Sequence, residues 1–472
     1  MKVVNNKIWM NVTTSYNWKR APVGIVRVET SIAEQLKILY GDKFAFCIWN
    51  GNNFVEIPEI TKQHKVEEPK QTSSKDVEIK EESNLPLIFP LLPRREALKA
   101  IAQGVLSLSP NRLRSTTNKF LYIFKKYLFA TLSSKVYRRL INEKRKSNSI
   151  SKQAVTDIYN NVGDIFNSGD VLISIGLDWD SLFYKKFYNL KNKGVRIITC
   201  CYDIIPVLYP QYCVHDVANK FKSYFIDIAD GSDLILCISK QSENDLNKML
   251  DSLGAARPKT YVFPLGDSVK KKISDNNISP EIADICSQPF ILFVSTIERR
   301  KNHEVLYRAY HILASQGKSD LLPKMIFVGM PGWGVNELMK DIELDPITKG
   351  LIHNFNHVTD DELSLLYNNS LFCVFPSLYE GWGLPVGEAL AAGKVVLCSN
   401  RGSLPEVGGG LVKYISPWNP EEWASEIWTL IEHPELLKEM EKRIRGEYKV
   451  RTWNQSASSV HLAIERLISS NN

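Results

Sequence analysis

What this 472-residue sequence lacks bounds it first. No stretch reaches the ~18 apolar residues that a membrane-spanning helix needs. The start, Met1-Lys2-Val3-Val4-Asn5-Asn6-Lys7, has no apolar core of a secretory leader, so the expectation is a cytoplasmic chain. Eight cysteines occur without a CxxC pair or a zinc-type spacing. Most sit in apolar runs such as Ile235-Leu236-Cys237-Ile238 and read as small buried hydrophobes in a reducing compartment. With 44% hydrophobic and 24% charged residues the chain is neither disordered nor fibrous. Its length exceeds one ordinary core and predicts two domains of roughly 200 residues.

The net charge of +7 is unevenly spread: Arg94 to Lys146 carries fourteen Lys and Arg against Glu96 and Glu143. Lys and Arg are interleaved there with Leu, Ile, Phe and Tyr, as in Phe120 to Phe129, and apolar and basic positions do not separate on a helix. Two readings stand: helices with a solvated basic face, or docking to an anionic membrane surface. No nucleic-acid motif accompanies the charge, so nucleic acid is not expected as a partner.

Strand and helix patterns alternate along the rest. Lys7 to Thr13, Phe44 to Asn50, Val171 to Ile175, Arg196 to Cys201, Leu234 to Ser239 and Tyr261 to Phe263 read as buried strands, with helices at about Ile25–Tyr40 and Lys240–Leu253. After a linker at Gly266 to Pro280 the alternation resumes, with strands starting at Phe290, Met325, Leu351, Leu371 and Val395. The predicted class is α/β, two Rossmann-like domains whose parallel sheets face each other across a cleft. The expected bounds are 1–275, with a helical, basic insertion at about 61–150, then 286–445, then a helix over 446–472 that packs back on the first domain.

One segment carries most of the chemistry: Phe375 to Gly393, FPSLYEGWGLPVGEALAAG. A strand ends, Pro-Ser turns the chain, and Glu380 precedes Gly381-Trp382-Gly383-Leu384. Pro385 suits a first helical turn, which places Glu388, eight residues after Glu380, on the helix. Backbone N–H groups of 381–384 at a helix N-terminus favour anions and hydroxyl oxygens. The two ionised carboxylates are acceptor-only groups suited to sugar hydroxyls and to a ribose diol. Taken alone, Glu380 could equally cap the helix and Glu388 face solvent.

The block resembles the E-x7-E signature of glycosyltransferase family 4, with Trp382 where the family usually has Phe. That resemblance implies a GT-B fold, with Glu380 on the transferred sugar and Glu388 on the donor ribose. Val294 to His303 (VSTIERRKNH) resembles the family's diphosphate-holding loop, with Lys301 and Arg300 as its cations and Thr296 where an Arg is usual. Gly329 resembles the end of the second strand. Asn354 to Val358, including Phe355, resembles the segment against the base, and Arg401 to Val407 (RGSLPEV) the motif after the fifth strand. In the first half, Pro22 to Arg27 resembles the glycine loop under the diphosphate, which implicates Gly24 and Arg27 in donor binding. The family's His-Asp pair maps onto Tyr202-Asp203, where a phenol with a reference pKa near 10 replaces the imidazole; Tyr202 then either positions the substrate or packs its ring in the core.

Asp178-Trp179-Asp180 is a DxD, a metal-holding motif of a different glycosyltransferase fold, and about one is expected by chance in a chain of this length. Arg300, Lys301 and the helix N-terminus at 381–384 can stabilise a leaving diphosphate instead. The resemblance therefore implies a metal-independent, retaining hexosyltransferase that needs no cofactor. Its expected donor is a nucleoside-diphosphate sugar, GDP-sugars favoured, and transfer is of the mannosyl or rhamnosyl type. Its expected acceptor is a lipid-linked surface glycan such as O-antigen or capsule, met at the inner face of the plasma membrane. A nucleotide-sugar epimerase and a non-catalytic scaffold of the same fold are the alternatives.

Overall fold

The computed structural model describes residues 6–19, 24–60, 165–181, 183–213, 217–267 and 278–469. The insertion expected at 61–150, its basic stretch, and Pro22 and Val23 of the glycine loop lie outside these residues. The first sheet holds seven strands: β1 (Ile8–Asn11), β2 (Phe44–Trp49), β3 (Phe54–Ile57), β4 (Val171–Ser174), β5 (Arg196–Cys201), β6 (Leu234–Cys237) and β7 (Lys259–Val262). Their order is β3-β2-β1-β4-β5-β6-β7. All pairings are parallel except β2 with β3, an antiparallel edge that the sequence reading did not include. The second sheet is parallel, with β8 (Phe290–Val294), β9 (Lys324–Val328), β10 (Ile352–Phe355), β11 (Cys373–Phe375), β12 (Val396–Ser399) and β13 (Lys413–Ile415) in the order β10-β9-β8-β11-β12-β13.

Central strands such as β4 (VLIS) and β6 (LILC) are buried at every position, as expected when helices cover both faces of a parallel sheet. Helices that matter to the site are α1 (Gly24–Tyr40), α2 (Val217–Gly231), α3 (Lys240–Leu253), α4 (His303–Leu313), α5 (Asp360–Asn369), α6 (Leu384–Ala391), α7 (Leu404–Gly408), α8 (Pro420–Glu432) and α9 (Trp453–Ser469). Their ends follow ordinary capping chemistry. Ser239 accepts from the Ser242 N–H at the start of α3, and Gly254 closes it in the left-handed region. Thr359 and Glu362 form a capping box at α5.

Three apolar clusters result. One fills the second lobe around β8, β9, β11 and β12, with Trp423 of α8 buried in it. The other two lie on opposite faces of the first sheet. One packs Trp9, Phe187, Tyr224 and Phe225. The other joins Val28, Ile32 and Leu36 of α1 to Ala457, Val460, Ala463 and Ile464 of α9. The chain thus crosses back, and its last helix is part of the first lobe's core. Each such aliphatic or aromatic side chain contributes roughly 1.5–3 kcal/mol on burial. Among the described residues no helix is long and apolar enough to cross a membrane.

Candidate active site

In open parallel sheets, ligands bind where strand order reverses, beyond the carboxyl ends of the strands. In the second sheet that point lies between β8 and β11. The loop after β8 carries Arg300 and Lys301, and the loop after β11 carries Glu380, so residues about 80 apart in sequence meet there. Lys301 Nζ lies 2.6 Å from Glu380 Oε1, and Arg300 Nη1 lies 2.9 Å from Glu380 Oε2. Arg300 also donates to the Tyr379 carbonyl at 2.7 Å and to Glu298 Oε1 at 2.7 Å. The Leu378 N–H returns a bond to the Arg300 carbonyl at 2.8 Å, which zips the two loops together.

Asn302 fixes the turn below them. It adopts φ 63°, the one left-handed non-glycine among the described residues, and its side-chain amide donates to the carbonyls of Pro376 (3.2 Å) and Pro417 (2.8 Å). On the other side, Gly402 packs against the backbone of Glu380. A Cβ there would stand 2.2 Å from the Glu380 carbonyl oxygen, so no larger residue fits. Ser403 then donates to the carbonyls of Glu380 (3.1 Å) and Trp382 (3.0 Å).

These contacts set the electrostatics. Burial alone would raise the Glu380 carboxyl, but Arg300 and Lys301 outweigh it and hold the group at about 2. Burial opposes the charge on Arg300, yet Glu380, Glu298 and Asp203 raise its pKa on balance. Asp203 is raised chiefly by burial, with Arg300 acting against it. Its Oδ1 accepts from the Ile205 N–H at 2.9 Å, so the carboxyl is held at the carboxyl end of β5. His303, first residue of α4, is buried and held neutral, down to about 3, by desolvation and by Lys301.

Glu388 sits in the second turn of α6, whose N-cap Gly383 has φ 110° and no side-chain cap. Its two oxygens are both engaged: Oε1 takes Arg27 Nη1 at 2.9 Å, and Oε2 takes the Tyr367 O–H at 3.0 Å. Burial raises its pKa against the pull of Arg27. Arg27 comes from α1, in the first lobe, where Gly24 begins the helix with φ +51°. Tyr367, on α5, is a contact the sequence reading missed; only its place on the buried face of that helix could have pointed to it.

Other expected site residues have mixed placements. Gly329 lies at the end of β9 against Ser295, where a Cβ would approach its carbonyl to 2.0 Å. Asn354 donates to Asn356 Oδ1 at 2.6 Å, and its own Oδ1 is buried with no partner among the described residues. Phe355 and Val358 pack at the margin of the second lobe's core. In the stretch 381–384, expected to meet the donor through its backbone N–H groups, the Trp382 ring is buried in the first lobe's core and Leu384 packs against the same cluster. The Tyr202 phenol donates to the Ile175 carbonyl at 2.6 Å inside that core, so its hydroxyl is spent on packing the sheet rather than aimed at a leaving group. The two carboxylates of the DxD part company: Asp178 is buried and Asp180 exposed. Among the described residues no group of three potential metal ligands converges.

Two α/β lobes, each built on a mainly parallel sheet and with a site at the switch point of the second, make up the GT-B fold. The structure aligns with sucrose-phosphate synthase from Thermosynechococcus elongatus at a TM-score of 0.57 and 16% identity, over 98% of this chain and 100% of that one. It aligns with a glycosyltransferase from Rickettsia africae at 0.55 and 17% identity, over 99% and 100%. The family model for glycosyl transferases group 1 matches residues 276–447, the lobe that holds Arg300, Lys301, Glu380 and Glu388. In sequence the chain is 28% identical over 235 residues to O-antigen chain mannosyltransferase B of Escherichia coli, covering 49% of this chain and 61% of that protein. It is 26% identical over 349 residues to the serotype-specific mannosyltransferase WbdA of Escherichia coli, covering 72% and 41%. The chain thus spans less than two thirds of the length of these relatives.

Proposed function

We propose that this chain is a retaining, metal-independent hexosyltransferase. It takes a hexose or deoxyhexose, mannose foremost, from a nucleoside-diphosphate sugar, with GDP-sugars favoured, and adds it to a surface glycan carried on lipid. One observation carries the reading: two fixed cations and a buried carboxylate converge at the switch point of the second sheet, with a second carboxylate one helix away. A departing nucleoside diphosphate develops negative charge, and preorganised cations stabilise it without reorganising at the moment of reaction. Arg300 and Lys301 are such cations, held by Glu298, Glu380 and the Tyr379 carbonyl. Glu380 stays ionised at any working pH and accepts hydrogen bonds from the sugar hydroxyls, while Glu388 takes the ribose diol. Retention follows if the acceptor attacks from the face the diphosphate leaves, a phosphate oxygen taking the acceptor's proton. The mannosyl and surface-glycan assignments draw support from the O-antigen and serotype-specific mannosyltransferases to which the chain is similar. On this reading the enzyme works at the cytoplasmic side of the membrane, with the basic stretch 94–146 as the contact to anionic lipid.

The test is thermal stabilisation by GDP, UDP, dTDP, CMP and ADP with EDTA present, followed by transfer from the matching nucleotide sugar. A ligand that binds the folded state raises the melting temperature by mass action. The expected result is a shift with one nucleoside diphosphate that survives EDTA and is lost in Glu388→Ala. No shift with any nucleotide would refute donor binding, and a shift abolished by EDTA would refute metal independence.

A further inference from the structure

The loop that bears Glu380 is held from outside its own lobe. Tyr379, just before Glu380, donates its phenol O–H to Asp245 Oδ2 at 2.5 Å and accepts from Gln241 Nε2 at 2.9 Å. Gln241 Nε2 is also within 2.9 Å of Asp245 Oδ1, and the Tyr209 ring lies 5.0 Å from that of Tyr379. Gly381, just after Glu380, is in contact with the backbone of Tyr202 and Asp203: a Cβ at 381 would stand 2.6 Å from the Tyr202 carbonyl oxygen. Ser242 Oγ bridges the same two segments, at 2.7 Å from the Tyr202 carbonyl and 3.3 Å from that of Gly381. Gln241, Ser242 and Asp245 all belong to the first turns of α3 in the first lobe.

A second contact closes on the same turn. Glu406, on α7 of the second lobe, accepts the backbone N–H groups of Lys240 and Gln241, each at 2.7 Å. Those amides are among the first four of α3, which no intrahelical carbonyl satisfies, and a carboxylate there also meets the positive end of the helix. The second lobe therefore supplies part of the cap of a first-lobe helix, and that helix in turn grips the residues flanking Glu380.

We propose that the first two turns of α3 are a clasp that sets the position of Glu380, with Asp245 and Glu406 as positioning residues. Its consequence for turnover rests on the transferase reading above; the clasp itself does not. On that reading donor binding draws on Glu388, which Arg27 and Tyr367 hold without any contact to α3, and Arg300 keeps Glu298 as a brace outside the clasp. Loss of the clasp therefore acts on turnover more than on donor binding.

The experiment compares Tyr379→Phe, Asp245→Asn, Asp245→Ala and Glu406→Ala with the wild-type chain by amide hydrogen exchange and by steady-state transfer. Tyr379→Phe keeps the ring against Tyr209 and removes only the O–H, so it tests the clasp even where Asp245→Ala does not fold. In Tyr379→Phe and Glu406→Ala, exchange is expected to rise about tenfold in both 240–242 and 379–383, with melting temperatures within a few degrees of wild type. The turnover number is expected to fall about tenfold, with donor KM within about twofold. Asp245→Asn, which keeps an oxygen for the Tyr379 O–H, is expected to retain most of the rate. Unchanged exchange, exchange rising in one segment alone, or a rise in KM without loss of turnover would overturn the clasp. A wild-type chain that transfers from no nucleotide sugar would sink the transferase reading, and exchange would still decide the clasp.

Discussion

Arg27 of the first lobe and Glu388 of the second form an ion pair, Nη1 to Oε1 2.9 Å, with the carboxylate almost wholly buried and the guanidinium partly exposed. The carboxylate's other oxygen takes the Tyr367 O–H. A ribose diol that uses both oxygens of Glu388 must therefore compete with groups from two different elements, one of them in the other lobe.

Removing Arg27 takes away the cation that opposes burial at Glu388, so the carboxyl's pKa rises further above its ordinary value. In Arg27→Gln, nucleotide affinity is expected to climb more steeply with pH above the ordinary carboxylate range than in wild type, as Glu388 ionises. Glu388→Gln is expected to weaken nucleotide binding about 10- to 100-fold where Glu388 is ionised, the worth of a hydrogen bond to a charged group, with the deficit narrowing as pH falls and the wild-type carboxyl is protonated. Calorimetric titration with the nucleoside diphosphate at a series of pH values checks both. Identical pH profiles for wild type and Arg27→Gln would show that Arg27 does not control the ionisation of Glu388.

Lys301 and Arg300 are not equivalent. Lys301 meets only one Glu380 oxygen and lies 5.5 Å from the Phe375 ring centroid, whereas Arg300 spans Glu298, Glu380 and the Tyr379 carbonyl. Lys301→Gln is expected to lower kcat about 10²- to 10³-fold, typical for loss of one fixed stabilising donor. Arg300→Lys is expected to do as badly and to lower the melting temperature as well, because an ammonium cannot serve three planar acceptors at once. Steady-state kinetics with thermal unfolding separates the two: a normal melting temperature in Arg300→Lys would contradict the bracing role.

The sheets were legible because buried parallel strands are continuous apolar runs; β5 and α3 fall where the pattern puts them. The short edges were not. β3 (FVEI) and β13 (KYI) are half-exposed and too short for any period to register. At the site, Glu380, Arg300 and Lys301 were readable as motif positions, and the structure brings them together. Tyr367, Asp245 and Glu406 were not, because each acts on a partner from another element, Tyr367 within its own lobe and the other two across the lobes, and no local spacing encodes that. For Tyr202 the sequence left positioning and core packing both open, and for Trp382 it spoke only of the backbone N–H; the first lobe's apolar cluster takes both rings.

Glu380 makes the protein sensitive to acid. Its folded pKa of about 2 lies below the ordinary carboxylate value, so its stabilising ion pairs are fully present above about pH 4.5 and are lost as pH falls toward 2. Glu380→Gln leaves Arg300 and Lys301 buried without their carboxylate, a change that costs roughly 3–5 kcal/mol when one partner of a buried pair is removed. The expected outcome in urea unfolding is a large deficit against wild type at pH 6 that narrows steadily below pH 4. A deficit independent of pH would mean that the ion pairs contribute little.

Glu29 and Asp178 act with the opposite sign. Both are buried under the carboxyl ends of the first sheet, and burial pushes them up to about 8 and about 7. Glu29 accepts from the Ser15 N–H at 2.6 Å, but its Oε1, like both oxygens of Asp178, has no partner among the described residues. Gly176 leaves room for this group: a Cβ there would stand 2.3 Å from Glu29 Oε1. The folded state therefore holds protons that the unfolded chain releases near pH 4, and stability falls as pH rises from there through 7 and 8, by up to about 1.4 kcal/mol per unit for each group. Glu29→Gln and Asp178→Asn carry no charge to bury. Each is expected to match wild type at pH 4 and to exceed it by about 1 kcal/mol or more at pH 8, with the nucleotide-induced melting shift retained. Urea unfolding at the two pH values decides the matter: a variant less stable than wild type at pH 8 would mean that the ionised carboxylate is solvated or paired in the fold.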